Sequence, residues 1–394
     1  MNRLTGVGTQ GRERRWTTWL IGGATAFSLL GDQTLYSTLP IFFEDLGLRP
    51  VEVGVILSAN RWVRLGTNEL AHRLTNRNRD LRGLFVAAVT LGAMTTAAYA
   101  TTPGFVLFVA ARLVWGLCWS FIRHLGVLSV MTVEGGQRAG RAAGRLGGIG
   151  RIGSVGGLLG GALLVDWLGF SSALLVLAVV SAAAIPLAGI GFAPIAQPSA
   201  TVEAGVGEAG PVLASALGFA HGMVGPGLVM ATLGAVLDER VSGNGPLSAA
   251  ALTGGVLAVR FLLESTTAAR LGAISDSRGI RFAASGAFAL GTVSLVVAAT
   301  SPPVIVLIAA VVAFFVSGTA LGAALVGFAG RQGSRALARY ATASDLGAAT
   351  GPLIGWIALG LFETRSLGLG IGAVIYGLAA ALAFRFLSPQ LRPH

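Results

Sequence analysis

Charged side chains stand deep inside long apolar stretches of this 394-residue chain: Asp32, Arg61, Arg64, Arg112, Arg123, Arg260, Glu264 and Asp345. Carrying such a group into a bilayer costs on the order of 2.5 kcal/mol or more, so each position implies a task. An acid beside a base can hold and release a proton, because burial disfavours the carboxylate charge and a guanidinium favours it. An arginine without an acid needs a carbonyl or an anion. At 1.5 Å of rise per residue, Asp32 falls roughly 5 Å and Arg112 roughly 9 Å to the same side of the midplane. The two are expected to form an ion pair, either broken by protonating Asp32 or permanent and structural. Gln33 and Tyr36 extend the polar surface beside Asp32. Arg260 and Glu264, four residues apart, can satisfy each other on one helix. Asn60, Arg64, Asn68 and His72 follow at steps of four, with Arg61 alongside, and make one polar face on an apolar helix.

The elements that must position these groups are membrane helices. Hydrophobic residues make up 54% of the chain and charged residues 11%, and the mean hydropathy is +0.75. A water-soluble fold of this length could not hide so much apolar surface. A spanning helix needs about 20 apolar residues. The sequence predicts twelve, over 16–43, 51–73, 81–101, 104–132, 142–165, 169–192, 211–237, 247–271, 281–300, 303–328, 338–362 and 366–387. All 28 basic residues are arginine. They crowd the N-terminus (Arg3, Arg12, Arg14, Arg15), the C-terminus and the breaks at 72–83, 134–145, 275–281 and 331–339, whereas the alternate breaks hold only Arg49, Arg240 and Arg365. Positive loops stay in the cytoplasm, so both termini are expected there, in a bacterial inner membrane. The apolar stretch from Trp16 has no small-residue cleavage pattern and reads as a retained first span.

The same pattern excludes several classes. The net charge of +11 is spread between spans rather than gathered on one face, which argues against nucleic acid. The single cysteine, Cys118, permits no internal disulfide. The chain has no lysine for a phosphate-binding loop, and its four histidines are scattered, so neither a metal, a cofactor nor ATP is expected. No nucleophile and base converge, so an enzyme is not expected.

After six spans, 197–211 is polar and Gly/Ala-rich and reads as a cytoplasmic linker between residues 1–196 and 212–394. The halves repeat. Laying Gly272 on Asn68 brings Asp276 onto His72, Arg281 onto Arg77 and Glu264 onto Asn60. Gly153, Gly156, Gly157, Gly160 and Gly161 in span 5 correspond to the run Gly347, Gly351-Pro352 and Gly355 in span 11. The five glycines fall on roughly one face, for static close packing or for a hinge that seals against leakage.

These residues resemble the major facilitator superfamily of transporters. Gly272 to Arg281 is similar to that family's Gly-x-x-x-Asp-x-x-Gly-x-Arg loop, with Ser277 where Arg is usual, and Arg112 to Gly116 is similar to its Arg-x-x-x-Gly. Span 5 resembles the motif of proton-driven exporters, with Gly157 where Pro is typical. The resemblance implies an all-α membrane fold of two six-helix bundles and alternating access about a midplane cavity. It implies gating at the loop after span 2, where Asp345 on span 11 is expected to meet Arg64, Asn68 or His72 in place of the usual loop acid. A helix cap is the plainer role for Asp345, and Asp276 is expected to cap a helix or pair with Arg141 or Arg145. The excess of deep arginine over acid leans toward an anionic or amphipathic anionic solute. The expectation is therefore a monomeric secondary transporter in the lipid bilayer that exports a small molecule against protons; a lipid or lysolipid flippase and an uptake symporter are the alternatives.

Overall fold

The structure is a computed structural model; it describes residues 6–77, 80–101, 104–134, 139–193, 210–241 and 247–387. Among these residues every regular element is helical. The expected linker falls outside the described residues as far as residue 209.

The first six expected spans become α1 (Gly6–Phe42), α2 (Pro50–Arg77), α3 (Leu81–Ala100), α4 (Gly104–Glu134), α5 (Ala139–Val155) with α6 (Gly161–Leu168), and α7 (Phe170–Ser181) with α8 (Ala184–Gly191). The remainder are α9 (Gly210–Gly222) with α10 (Met230–Asp238), α11 (Ala249–Arg278), α12 (Ile280–Ala299), α13 (Val304–Arg331), α14 (Ser334–Phe362) and α15 (Leu367–Phe386). Ten of these membrane-length runs, from α3 onward, are long and apolar enough to cross a bilayer. The first two are long but polar. Asn60, Arg61, Arg64, Asn68, Glu69 and His72 dilute α2, and Asp32, Gln33, Thr34, Ser37 and Thr38 dilute α1, which also begins ten residues before the expected start at Trp16.

Helix ends follow from local chemistry. The Asp80 carboxylate accepts the Gly83 N–H at 2.8 Å and starts α3, and the Ser248 hydroxyl does the same for Ala251 at the head of α11. Gly169 (φ 78°) and Gly279 (φ 86°) turn the chain between α6 and α7 and between α11 and α12 with a backbone that side chains resist.

Two interruptions are not visible in the apolar pattern. Between α5 and α6, Gly156–Gly160 form a π turn, and between α9 and α10, Met223–Val229 form another that contains Pro226. Each inserts backbone into an otherwise α-helical run. Proline lacks the N–H that α geometry would use, which favours a break there.

The residues gather into two compact units, Met1–Leu35 with Val63–Ala200, and Tyr36–Trp62 with Thr201–His394. The division therefore cuts inside α1 and α2 as well as at the expected linker. In the first unit, Ile21, Phe85, Val89, Trp115, Ile122 and Leu125 centre an apolar core, with the Phe85 and Phe192 rings 5.3 Å apart. The single cysteine, Cys118, belongs to this core and is 2% exposed. In the second, Tyr376 packs against Phe288 at 5.0 Å and Phe314 at 5.3 Å. There the start of α2 leans on α14, where Gly54 lies against Trp356 and the Pro352 carbonyl.

Candidate functional site

In the first unit the expected pair is present. Arg112 Nη1 donates to Asp32 Oδ1, with Arg112 fully buried and Asp32 5% exposed. Gln33 Nε2 donates to the other carboxylate oxygen at 2.9 Å. Sequence reasoning missed Tyr99, whose buried hydroxyl lies among Arg112, Asp32 and Thr95. Its ring stacks on Phe108 at 5.3 Å. The arrangement is an acid and a base held in an apolar shell with polar neighbours.

The glycine seam that runs from α5 through the π turn to α6 lies next to this pair. Gly153 faces the Ala26 backbone, Gly157 faces Leu30 and Gln33, and Gly161 faces Thr34. Thr34 Oγ1 lies 2.9 Å from the Gly157 carbonyl and 2.8 Å from the Leu30 carbonyl, and its single hydrogen is shared between them. Gly156 meets only the Leu30 side chain, and Gly160 has nothing within 4 Å. The expected five-glycine face is thus a three-glycine face, because the π turn rotates Gly160 away.

Farther along α2 and α4 in the same unit, the His72 and His124 rings meet edge to face at 5.8 Å. Arg64 is half-buried, and Asn68, His72 and Arg123 are exposed.

The second unit holds a separate set of charges. Arg61 takes the carbonyl option: its Nη1 donates to Ala348 O and its Nε to Tyr36 Oη, both at 3.3 Å, with the guanidinium 5.6 Å from the Tyr36 ring centre. Tyr36 in turn donates to the Leu57 carbonyl at 3.4 Å. Asn60, one residue before Arg61, is buried. Arg260 and Glu264 pair within α11 as expected, Nε to Oε1 at 3.1 Å. His221 shares a hydrogen bond with Tyr376 (Nδ1 to Oη, 3.2 Å), and both feel the charge of Arg260. Tyr376 was not anticipated, since a lone tyrosine in an apolar span carries no periodic signal.

Gating candidates fall out differently. Asp276 pairs with Arg331 of α13 at 3.3 Å; the side chain of Arg141, one of its expected partners, lies outside the described residues. That bond joins the ends of α11 and α13 beside Gly272, whose Cβ position is 3.4 Å from Ala323, and a cavity of about 500 Å³. Arg281 lies over the Phe384 ring at 4.2 Å. Asp345 is half-buried in α14, in its fourth turn rather than its second, because the helix starts earlier than the apolar pattern does. Gly351 packs on Gly227 and Leu228 of the second π turn, its Cβ position 2.7 Å from the Gly227 Cα. Among the described residues no three metal-ligating side chains gather.

Comparison with known proteins adds a family. The model of the Major Facilitator Superfamily matches residues 21–326. Three solved structures are similar in fold: the POT family transporter PepTSo (TM-score 0.73, 13% identity, covering 94% of this chain and 97% of that one), an auto-inhibited POT family peptide transporter (0.72, 12%, 97% and 99%) and the nucleoside transporter NupG (0.72, 12%, 94% and 98%). No curated protein matches the sequence.

Proposed function

The chain belongs to the Major Facilitator Superfamily of membrane transporters, and from that premise we propose that it couples protons to the export of a small anionic or amphipathic anionic solute. It would work as a twelve-span secondary transporter of a bacterial inner membrane, with both termini in the cytoplasm and the two halves alternating in access.

The observation that carries the coupling step is the Asp32–Arg112 pair. A fully buried guanidinium and a 5% exposed carboxylate have no structural need that two apolar side chains would not meet as well. Their retention in a membrane helix favours a task. In this reading the closed pair holds Asp32 ionised. Separation from Arg112 leaves a carboxylate in an apolar shell, which then takes a proton; re-forming the pair expels it. Gln33 stays on the carboxylate in either state and keeps it aimed. The Gly153–Gly157–Gly161 seam lets the run from α5 through the π turn to α6 lie directly against the part of α1 that carries Asp32, so movement of one is felt by the other.

The arginines favour an anionic solute. Arg61, Arg64 and Arg260 lie on helices with few acids to balance them, and Glu264 accounts for only part of that excess.

The test is a flux assay in proteoliposomes holding a pH-sensitive dye, with wild type and Asp32→Asn challenged by a panel of anionic and lipophilic compounds. The expected result is solute-driven proton movement in wild type that disappears in Asp32→Asn. Solute movement without protons, unchanged by the substitution, would defeat the coupling reading and leave a facilitator.

A further inference from the structure

Arg260 is incompletely occupied. A guanidinium offers five N–H donors. Among the described residues its hydrogen bonds end on one carboxylate oxygen, Glu264 Oε1 at 3.1 Å, and one sulfur, Met230 Sδ at 3.6 Å from Nη1. The thioether is a weak acceptor, and the aromatic face of Phe261 at 5.5 Å adds no acceptor. The side chain is only 14% exposed and Glu264 only 23%, so water does little to make up the difference. A charged donor with its Nη edge on a sulfur is a place kept for something more basic.

The neighbours supply a second donor. His221 and Tyr376 share a single hydrogen bond. A neutral imidazole and a phenol carry one donor hydrogen each, and the shared bond uses one of the two. If Tyr376 donates to Nδ1, the proton on Nε2 is left over; if Nδ1–H donates, the phenolic proton is left over. Either tautomer leaves one donor available. The Nε2 and Cε1 edge of the ring runs past Gly322 and Gly318 of α13, whose Cβ positions would lie 3.9 Å and 3.6 Å away. Neither glycine places a side chain on that edge of the imidazole.

We propose that Arg260, with the spare donor of the His221–Tyr376 pair, binds the carboxylate of the transported solute, and that Met230 holds the Nη edge until the solute arrives. This rests on the transporter reading above and names the recognising group. A carboxylate would replace the sulfur on Nη1 and use the second Nη as well, giving the two-pronged geometry that guanidinium and carboxylate prefer. Glu264 keeps Nε and fixes the plane of the guanidinium, as a positioning residue. Met230, flexible and polarisable, can withdraw without leaving an unsatisfied polar atom.

The experiment measures binding without any gradient, so it is independent of proton coupling. Radiolabelled benzoate is bound to the purified full-length protein and displaced by unlabelled benzoate or by benzamide, its neutral counterpart of the same shape. In wild type, benzoate should displace at a concentration about tenfold lower or more than benzamide, the difference expected of a charge-assisted contact. Arg260→Gln should erase that preference, Arg260→Lys should keep part of it, and Met230→Leu should strengthen benzoate binding. Absence of saturable benzoate binding in wild type, or an intact preference in Arg260→Gln, overturns the proposal. Met230→Leu conserves volume and should fold even if the charge variants do not, so weaker or unchanged benzoate binding in it also counts against the site. Failure of flux in liposomes with benzoate discrimination intact would overturn the coupling reading alone.

Discussion

Arg112→Met is the substitution whose outcome can be worked out furthest. It removes a fully buried guanidinium while keeping most of the side-chain volume, and it leaves the 5% exposed Asp32 carboxylate without that partner. Breaking a buried pair from one side costs about 3–5 kcal/mol, far more than the pair itself contributes. Taking about 2 °C per kcal/mol, the large-domain end of the usual range, the melting temperature should fall by about 6–10 °C. Asp32→Asn removes the other charge, and Gln33, 2.9 Å away, can re-pair with the new amide. The double variant Asp32→Asn, Arg112→Met buries no charge at all and should recover most of the loss. The assay is thermal unfolding of purified protein in detergent, run as a double-mutant cycle. A melting temperature for Arg112→Met within a degree of wild type would refute the buried-pair reasoning. So would a double variant as unstable as the sum of its parts. The same double variant separates the two roles open to the pair: a merely structural pair predicts a stable protein with flux, and a coupling pair predicts a stable protein with none.

Gly157→Ala should destabilise by about 1–3 kcal/mol, because its Cβ would stand 2.5 Å from the Leu30 carbonyl oxygen and 2.8 Å from the Gln33 Cβ. Gly160→Ala, with nothing within 4 Å, should be neutral or slightly stabilising in the same melt; equal losses at both positions would mean that the seam is not set by contact. Asp276→Asn should change stability by less than about 1 kcal/mol, since its carboxylate is 70% exposed and pairs with Arg331 in solvent-like surroundings. A larger loss would show the pair to be a structural tie between α11 and α13.

What the sequence makes legible is what repeats along one helix. Arg260–Glu264 at i+4 is legible and present, and a glycine face in span 5 is legible, though as five residues where only Gly153, Gly157 and Gly161 pack closely on α1. Asp32–Arg112 is legible because two opposite charges at similar depth have few other partners in an apolar medium. What escapes is anything that depends on a change of register or on a distant helix. A π turn adds backbone without changing composition, so Gly160 reads as part of the seam and is not. Tyr376 lies 155 residues from His221, and no pattern joins them. Composition carries a further signal, of which Tyr36 is one part. The chain has only four tyrosines, and all are buried within helices, where a phenol needs a polar neighbour. Three of them stand beside the charges and the imidazole of the sites: Tyr36 by Arg61, Tyr99 by Arg112 and Tyr376 by His221.

The π turn at Gly156–Gly160 has a geometric consequence. In an α-helix a step of four residues overshoots one turn by about 40°, so glycines spaced by four drift steadily off any straight line. In the wider π turn the same step falls short of a full turn and takes the drift back. Gly153, Gly157 and Gly161 therefore return to one line, each opposite its own mark on α1 at Ala26, Leu30 and Thr34. The seam works as a vernier, two scales of slightly different pitch made to coincide at three divisions. Such a device has no slack, and one residue added to or removed from Gly153–Gly161 would shift every later division out of coincidence.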